Sequence, residues 1–129
     1  MATILVVDNY ALTQRMLSYQ LLKYGHQIIA ANNEQEALDL LQETEVDLMI
    51  VDLTMPKVDG LTVLHQLRSS QRNCSLPVIM LTESSKEYGG RHAPRKSVDA
   101  FLTKSALSWK LTKTVDELLM QSEPACLVA

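Results

Sequence analysis

The stretch Leu48-Met49-Ile50-Val51-Asp52 is an unbroken apolar run that ends on a carboxylate. A run without polar alternation is expected of a central parallel strand that is covered on both faces. Three other apolar runs also lead into a polar side chain: Thr3–Val7 before Asp8, Pro77–Leu81 before Thr82, and Ala100–Thr103 before Lys104. If the four runs are neighbouring parallel strands, two carboxylates, a hydroxyl and an ammonium project from one sheet edge. Open α/β folds place their ligands at that edge.

Helical patterns separate these runs. Ala11–Tyr24 carries apolar residues at helical spacing, and Gly25 is expected to end this helix. Asn33 is a predicted N-cap, with Glu36 placed to complete a capping box. Together with a short strand candidate at His26–Ala31, the order of elements is that of an α/β protein. The apolar stripe of the first helix is Leu12, Met16, Tyr19 and either Leu21 or Leu22.

Two later helices complete the pattern. Asp59 is placed to cap a helix whose apolar face is Leu61, Leu64 and Leu67. Leu107–Met120 is predicted to be the last helix, with four side chains directed inward: Leu111, Val115, Leu118 and Leu119. Together these elements predict a single domain over residues 1–121 and a loose C-terminal tail over residues 122–129.

The predicted fold is a flavodoxin-like, doubly wound, five-stranded parallel sheet with helices on both faces. Right-handed crossovers leave few topologies, and the strand order 2-1-3-4-5 is the one that gathers Asp8, Asp52 and Thr82. One segment departs from the pattern, because a fourth helix is due between the last two strands. Residues 84–96 instead contain Gly89, Gly90 and a proline, which disfavour a helix interior. We expect a short, broken or mobile helix there.

Composition limits the function classes. Hydrophobic residues make up 47% of the 129 residues, enough for a core, and the net charge of −3 does not favour nucleic-acid or membrane binding. No apolar run approaches the roughly 20 residues of a membrane-spanning helix, and no signal peptide is recognisable. Cys74 and Cys126 lack metal-ligand spacing, so we expect free thiols in a reducing cytoplasm, with a disulfide as the alternative.

The chain resembles the response-regulator receiver domain of two-component signal transduction, in particular the chemotaxis-regulator type. The resemblance covers nearly the whole chain. It rests on a specific set of residues: Val6-Val7-Asp8, Asp52 followed by Met55-Pro56 and Asp59-Gly60, Thr82, and Lys104. It implies a phosphoacceptor regulatory domain that catalyses only its own phosphorylation and dephosphorylation.

The resemblance also implies roles for individual residues. Asp52 would accept a phosphoryl group from the phosphohistidine of a sensor histidine kinase or phosphotransfer protein. Lys104 would hold the phosphoryl oxygens as a mobile point charge, and Thr82 would hydrogen-bond to them. Phe101 matches the switch aromatic whose rotamer follows Thr82. Mg²⁺ would be held by Asp8, Asn9, Asp52 and the backbone carbonyl of Thr54, in keeping with its preference for oxygen ligands.

Simpler interpretations exist for several of these residues. Asp8 and Asp52 could be carboxylates that cap the loops following their strands, although Lys104 in the same set favours a site. Asp59 is better explained as a structural helix cap. Phe101, taken alone, is a core residue, and only its position before Lys104 suggests a switch.

Three positions depart from the family pattern. Asn9 replaces the second carboxylate of an acidic pair, so weaker metal binding is expected. Glu83 follows Thr82 where a small residue is usual; it would either crowd and repel phosphate or restore the charge missing at Asn9. Ser105 replaces the proline after Lys104, and a cis bond to a residue other than proline costs about 2.5–4 kcal/mol. We therefore expect a trans bond, with Lys104 displaced from its usual pose.

Two functions compete on this sequence. The first is a phosphorylation switch that alters the face formed by the fourth predicted helix, the fifth strand and the last helix, where a downstream protein would bind. The second is a pseudo-receiver, a protein-docking module that phosphate does not control. The segment 84–96 adds a local excess of basic residues over the single acid Glu87, which would suit an acidic partner: Lys86, Arg91, Arg95 and Lys96. The cognate kinase, a homodimer and any output domain are left open.

Overall fold

The computed structural model describes residues 2–8, 10–52, 60–70, 73–82 and 98–120, and only the backbone of residues 60–62. Strands and helices alternate along these ranges as far as residue 82, and the next described element is again a strand. The last helix follows a short 3₁₀ turn at Lys104–Ala106. The strands are β1 (Thr3–Val7), β2 (Gln27–Ala31), β3 (Leu48–Asp52), β4 (Val78–Thr82) and β5 (Ala100–Thr103). The helices are α1 (Ala11–Lys23), α2 (Glu34–Glu43), α3 (Gly60–Ser69) and α4 (Leu107–Met120).

The strands form one parallel sheet in the order β2-β1-β3-β4-β5. This is the predicted topology. All five residues of β3 and all five of β4 are buried. The unbroken apolar character of Leu48–Val51 therefore has the expected cause, since helices cover both faces of the central strands.

The core has two halves, one on each face of the sheet. On one face, α2 and α3 pack against strand residues such as Leu5, Met49 and Met80. On the other face, α1 and α4 pack against the alternate strand residues, among them Ile4 and Ile50. The alternation follows from the two-residue period of a strand, which sends successive side chains to opposite faces.

Local signals at the helix ends act as predicted. The Asn33 side-chain oxygen accepts a hydrogen bond from the backbone N–H of Glu36 at 2.9 Å, and the Asn33 amide donates to the Glu36 carboxylate at 2.9 Å. Gly25 follows the end of α1 with a φ of 87°, a conformation that favours glycine. The last helix also buries Leu111 and Val115, as expected.

The apolar stripe of α1 does not face the core. Leu17 and Leu21 are fully buried, whereas Leu12 is 81% exposed and Tyr19 is 71% exposed. Of the stripe predicted at helical spacing, only Leu21 belongs to the buried face. The helix carries apolar residues on two nearly opposite faces, so spacing alone did not determine which face meets the sheet.

Other expectations are corrected or lie outside the described residues. Cys74 is in a disulfide bond, so the expectation of free thiols is wrong at this residue. Residues 84–96, the tail at 122–129 and the Asp59 cap lie outside the described ranges. Within those ranges, no helix is long and apolar enough to cross a membrane.

The orientation of α1 can be tested by paired truncations. We expect Leu17→Ala to lower the free energy of unfolding by about 2–5 kcal/mol, because it opens a cavity in the core. Leu12→Ala is expected to change it by less than about 0.5 kcal/mol, because its side chain is already in solvent. Urea denaturation of both variants measures the difference. Equal losses would contradict the orientation.

Candidate phosphoacceptor site at the carboxyl edge of the sheet

The parallel register brings the predicted site residues to one edge. β1 and β3 align Val7 with Val51, so Asp8 and Asp52 follow side by side at the next position. β3 and β4 align Asp52 with Leu81, and Thr82 lies one residue closer to the edge. Asp8, Asp52 and Thr82 have no exposed surface. The structure therefore places three of the predicted polar groups together, at the end of the sheet where the central strands terminate.

Lys104 follows the edge strand β5, and its side chain reaches this cluster across the end of β4. Its Nζ lies 2.7 Å from Oδ2 of Asp52, and the two side chains are 16% and 0% exposed. A buried carboxylate needs such a partner, because burying an uncompensated charge is costly. The ion pair shows that Lys104 is directed into the site.

Ser105 does not prevent this approach. The described residues contain no cis peptide bond, so the Lys104–Ser105 bond is trans, as predicted. The Ser105 hydroxyl lies 3.1 Å from the hydroxyl of Thr103, and the 3₁₀ turn begins directly at Lys104. Despite the trans bond, the lysine is not withdrawn from Asp52.

Asp8 is held without full charge compensation. Its Oδ1 accepts a hydrogen bond from the backbone N–H of Tyr10 at 2.8 Å. Burial raises the pKa of Asp8 from 3.8 to about 6; the negative charge of Asp52 also raises it, while the Tyr10 hydrogen bond and Lys104 oppose the shift. The second oxygen, Oδ2, is buried and accepts no hydrogen bond within the described residues. Two adjacent buried carboxylates, of which Asp52 is paired with the Lys104 ammonium, favour the binding of an additional cation.

These oxygens fit a magnesium ion. Mg²⁺ prefers a few carboxylate or carbonyl oxygens and keeps several waters, so two carboxylates at a sheet edge suffice as protein anchors. The Oδ2 atom of Asp8 is an acceptor that the described protein groups leave available. Within the described ranges, no group of three or more His, Cys, Asp and Glu residues that could hold a metal occurs.

The remaining predicted residues fall into two groups. Phe101 lies on β5, half-buried, and packs against the core on the α2 and α3 face. Asn9, Thr54 and Glu83 lie outside the described residues, so their roles stay predictions.

Tyr10 belongs to the site but was not identified from the sequence. The Nζ atom of Lys104 lies 4.8 Å from the centre of its ring, and its backbone N–H binds Asp8. The available signal was an aromatic residue at the start of α1, two positions after a strand-end carboxylate. Sequence spacing did not indicate that Lys104, more than 90 residues away, would contact it.

The chain belongs to the response regulator receiver domain family, whose model matches residues 4–116. This family consists of regulatory signalling domains, in agreement with the motifs at Asp8, Asp52, Thr82 and Lys104. The family assignment therefore agrees with both the strand order and the edge cluster.

Individual relatives are similar to this chain at moderate sequence identity. The alkaline phosphatase synthesis transcriptional regulatory protein PhoP of Bacillus subtilis is 32% identical over 95% of this chain, which spans about half of PhoP (50%). Protein PilH of Pseudomonas aeruginosa is 29% identical over 92% of this chain and 98% of PilH.

The response regulator TrrA of Thermotoga maritima is similar in structure. In its crystal structure with Mg²⁺-BeF, TrrA matches at a TM-score of 0.80 and 30% identity, over 92% of this chain and 99% of TrrA. A second crystal structure contains TrrA in complex with the histidine kinase ThkA and matches at a TM-score of 0.79.

The strained charge of Asp8 predicts a pH-dependent stability. Because folding raises the pKa of Asp8, its ionised form destabilises the folded protein. The free energy of unfolding therefore falls as the pH rises from 3.8 through about 6. Asp8→Asn should therefore raise the free energy of unfolding in EDTA by about 1–3 kcal/mol near pH 7.5, and by much less near pH 4.

Urea denaturation across this pH range measures the effect. Millimolar Mg²⁺ should reduce the difference at the higher pH, because the ion stabilises only the protein that retains the Asp8 carboxylate. If Asp8→Asn raises the free energy of unfolding equally at both pH values, the raised pKa of Asp8 is contradicted.

Proposed function

We propose that this domain is a phosphoacceptor switch. Asp52 would accept a phosphoryl group from a phosphohistidine of a sensor histidine kinase or phosphotransfer protein, with Mg²⁺ bound, in the cytoplasm. The observation that carries the proposal is the buried Asp52 carboxylate, 2.7 Å from the Lys104 ammonium and beside the buried Asp8. This arrangement supplies a nucleophile, a mobile cation and a cation-binding oxygen at one edge.

The proposed reaction transfers a phosphoryl group from an imidazole nitrogen of the donor to a carboxylate oxygen of Asp52. An oxygen of Asp52 forms a bond to phosphorus while the bond from phosphorus to the donor imidazole nitrogen breaks, and the imidazole leaves with the electron pair. Lys104 then moves its charge from Asp52 to the phosphoryl oxygens. Asp8 and Asp52, together with the predicted Asn9 and the Thr54 carbonyl, would hold Mg²⁺, which would neutralise charge on the phosphoryl group. Such transfers depend mainly on positioning and electrostatics.

Thr82 and Phe101 would connect the modification to the protein surface. Thr82 is buried beside Asp52 and aligns with Thr103 on β5. A phosphoryl group on Asp52 would draw the Thr82 hydroxyl towards it, and half-buried Phe101 on β5 would take up the space released. We propose that this shift alters the surface near β5 and α4 and changes binding of a downstream protein.

Access by a kinase is supported by the exposed face of α1. Leu12, Met16 and Tyr19 lie along a groove of about 560 Å³ between α1 and α4, and Arg15 and Lys23 are its cationic lining residues. Exposed apolar side chains that lie together on one face, as these do on α1, are typical of protein-binding sites. Because α1 begins at the edge that carries Asp52, a kinase helix docked here would bring its phosphohistidine near that edge.

The central prediction is phosphorylation by a small donor. Acetyl phosphate with Mg²⁺ should add one phosphate to the protein, detected by intact mass, and Asp52→Asn should add none. Lys104→Ala should lower the rate by about tenfold or more, because the ammonium that stabilises the phosphoryl oxygens is lost.

The alternative function, a pseudo-receiver, is favoured if acetyl phosphate does not phosphorylate the protein. A folded protein that takes no phosphate at any Mg²⁺ concentration would contradict the switch and favour a docking module that phosphate does not control. The departures at Asn9, Glu83 and Ser105 would then have removed the reaction.

The proposed kinase-binding groove between α1 and α4 predicts an effect on phosphotransfer from a kinase that is separate from the reaction with acetyl phosphate. Tyr19→Ala should lower phosphotransfer from a histidine kinase, identified by phosphotransfer profiling, by about threefold to tenfold through lost apolar contact. It should leave acetyl phosphate labelling unchanged, because that donor needs no protein interface. Lys113→Ala, an exposed change on α4, serves as a control. A Tyr19 variant that receives phosphate normally from the kinase would exclude this part of α1 from the interface.

A further inference from the structure

The ammonium of Lys104 contacts the side chains of Asp52 and Tyr10. It lies 2.7 Å from Asp52 Oδ2 and 4.8 Å from the centre of the Tyr10 ring. An ammonium within about 6 Å of an aromatic face is attracted by the negative potential of the ring. Tyr10 therefore provides a second contact for the positive charge beside the carboxylate.

The topology explains why a second contact matters. Lys104 follows β5, whereas Asp52 ends β3, and β4 lies between these two strands. Strands are about 4.8 Å apart, so the ends of β5 and β3 are about two spacings, or roughly 10 Å, apart. The flexible four-carbon stem of Lys104 and the side chain of Asp52 together cover this distance. Tyr10 follows β1, on the opposite side of β3. The ammonium is thus reached from one side by its own stem and from the other side by the ring.

The backbone of Tyr10 is well fixed. Its N–H donates to Asp8 Oδ1 at 2.8 Å, and its carbonyl accepts from the N–H of Gln14 at 3.0 Å, in the first turn of α1. Tyr10 occupies the N-cap position but forms no side-chain cap, a task for which Ser, Thr, Asp or Asn is better suited. Capping therefore does not account for the tyrosine, whereas the contact of its ring with Lys104 does.

We propose that Tyr10 is a positioning residue, whose ring face holds the Lys104 ammonium at Asp52 for phosphoryl transfer. The inference rests on the proposed function. Tyr10 is 45% exposed, so it borders the site at the surface, whereas Asp52 and Asp8 are fully buried. Its action is through Lys104, because the attraction depends on the aromatic face and not on the hydroxyl.

Two substitutions separate the ring face from the bulk of the side chain. Tyr10→Leu keeps an apolar side chain without the face, and we expect it to lower the rate of phosphorylation by acetyl phosphate and Mg²⁺ by about threefold to tenfold. Tyr10→Phe keeps the face and should remain within about twofold of the unmodified chain. Tyr24→Leu, a change at an exposed tyrosine at the far end of α1, controls for the loss of a surface ring.

Dependence on Lys104 distinguishes positioning from a general structural effect. In a Lys104→Met background, Tyr10→Leu should cause no further loss of rate, because the group that it positions is absent. A further loss of threefold or more in that background would overturn the proposal. Equal rates for the Tyr10→Leu and unmodified chains would also overturn it.

A spectroscopic readout keeps the proposal independent of the reaction. The ring should shift the ε-methylene proton resonances of Lys104 upfield in the NMR spectrum of the unphosphorylated protein. The shift should persist in Tyr10→Phe and disappear in Tyr10→Leu. Resonances that do not respond to Tyr10→Leu would overturn the contact whatever the rates. If the unmodified chain accepts no phosphate, the proposed function fails, while these resonances still decide whether Tyr10 holds Lys104.

Discussion

The burial of two carboxylates side by side is the constraint on which the site depends. Asp8 and Asp52 end adjacent strands of a sheet that is covered on both faces, and neither has exposed surface. Burial disfavours both charges, and each charge disfavours the other. The Lys104 ammonium offsets part of this cost at Asp52, and the raised pKa of Asp8 shows that part of it remains. A cation bound at Asp8 would reduce the unfavourable electrostatic free energy that remains there.

The same constraint explains why the surrounding sheet is so apolar. A polar cluster at the ends of β1, β3 and β4 is tolerated because the strands behind it are packed from both sides. Leu48–Val51 and Val78–Leu81 have almost no exposed surface, so the ends of these strands are fixed in position relative to each other. The proposed phosphoryl transfer to Asp52 needs such rigid support, because small displacements of the reacting groups have large effects on transfer rates.

Most of the fold and the buried part of the site could be predicted from the sequence. The apolar runs, the polar residue after each run, and the Asn33 cap are local patterns with one structural solution. The face of α1 was not predictable in this way, because Leu12 and Leu17 both belong to apolar patterns and only packing against the sheet selects Leu17. The contact between Tyr10 and Lys104 joins two ends of the chain, and the disulfide bond at Cys74 had no local signal. Such features depend on tertiary structure.

The choice of lysine and an aromatic ring suits a charge that must move. In the structure the ammonium lies against Asp52, and after the proposed transfer it would have to neutralise phosphoryl oxygens farther out. Lysine allows this movement because its charge is compact and its stem is flexible, whereas the planar fork of an arginine would favour one bidentate geometry. A hydrogen-bonding partner in place of Tyr10 would fix the ammonium at one point. A ring face attracts the charge over a broad area, so it can confine Lys104 to the site and still let it follow the phosphoryl group.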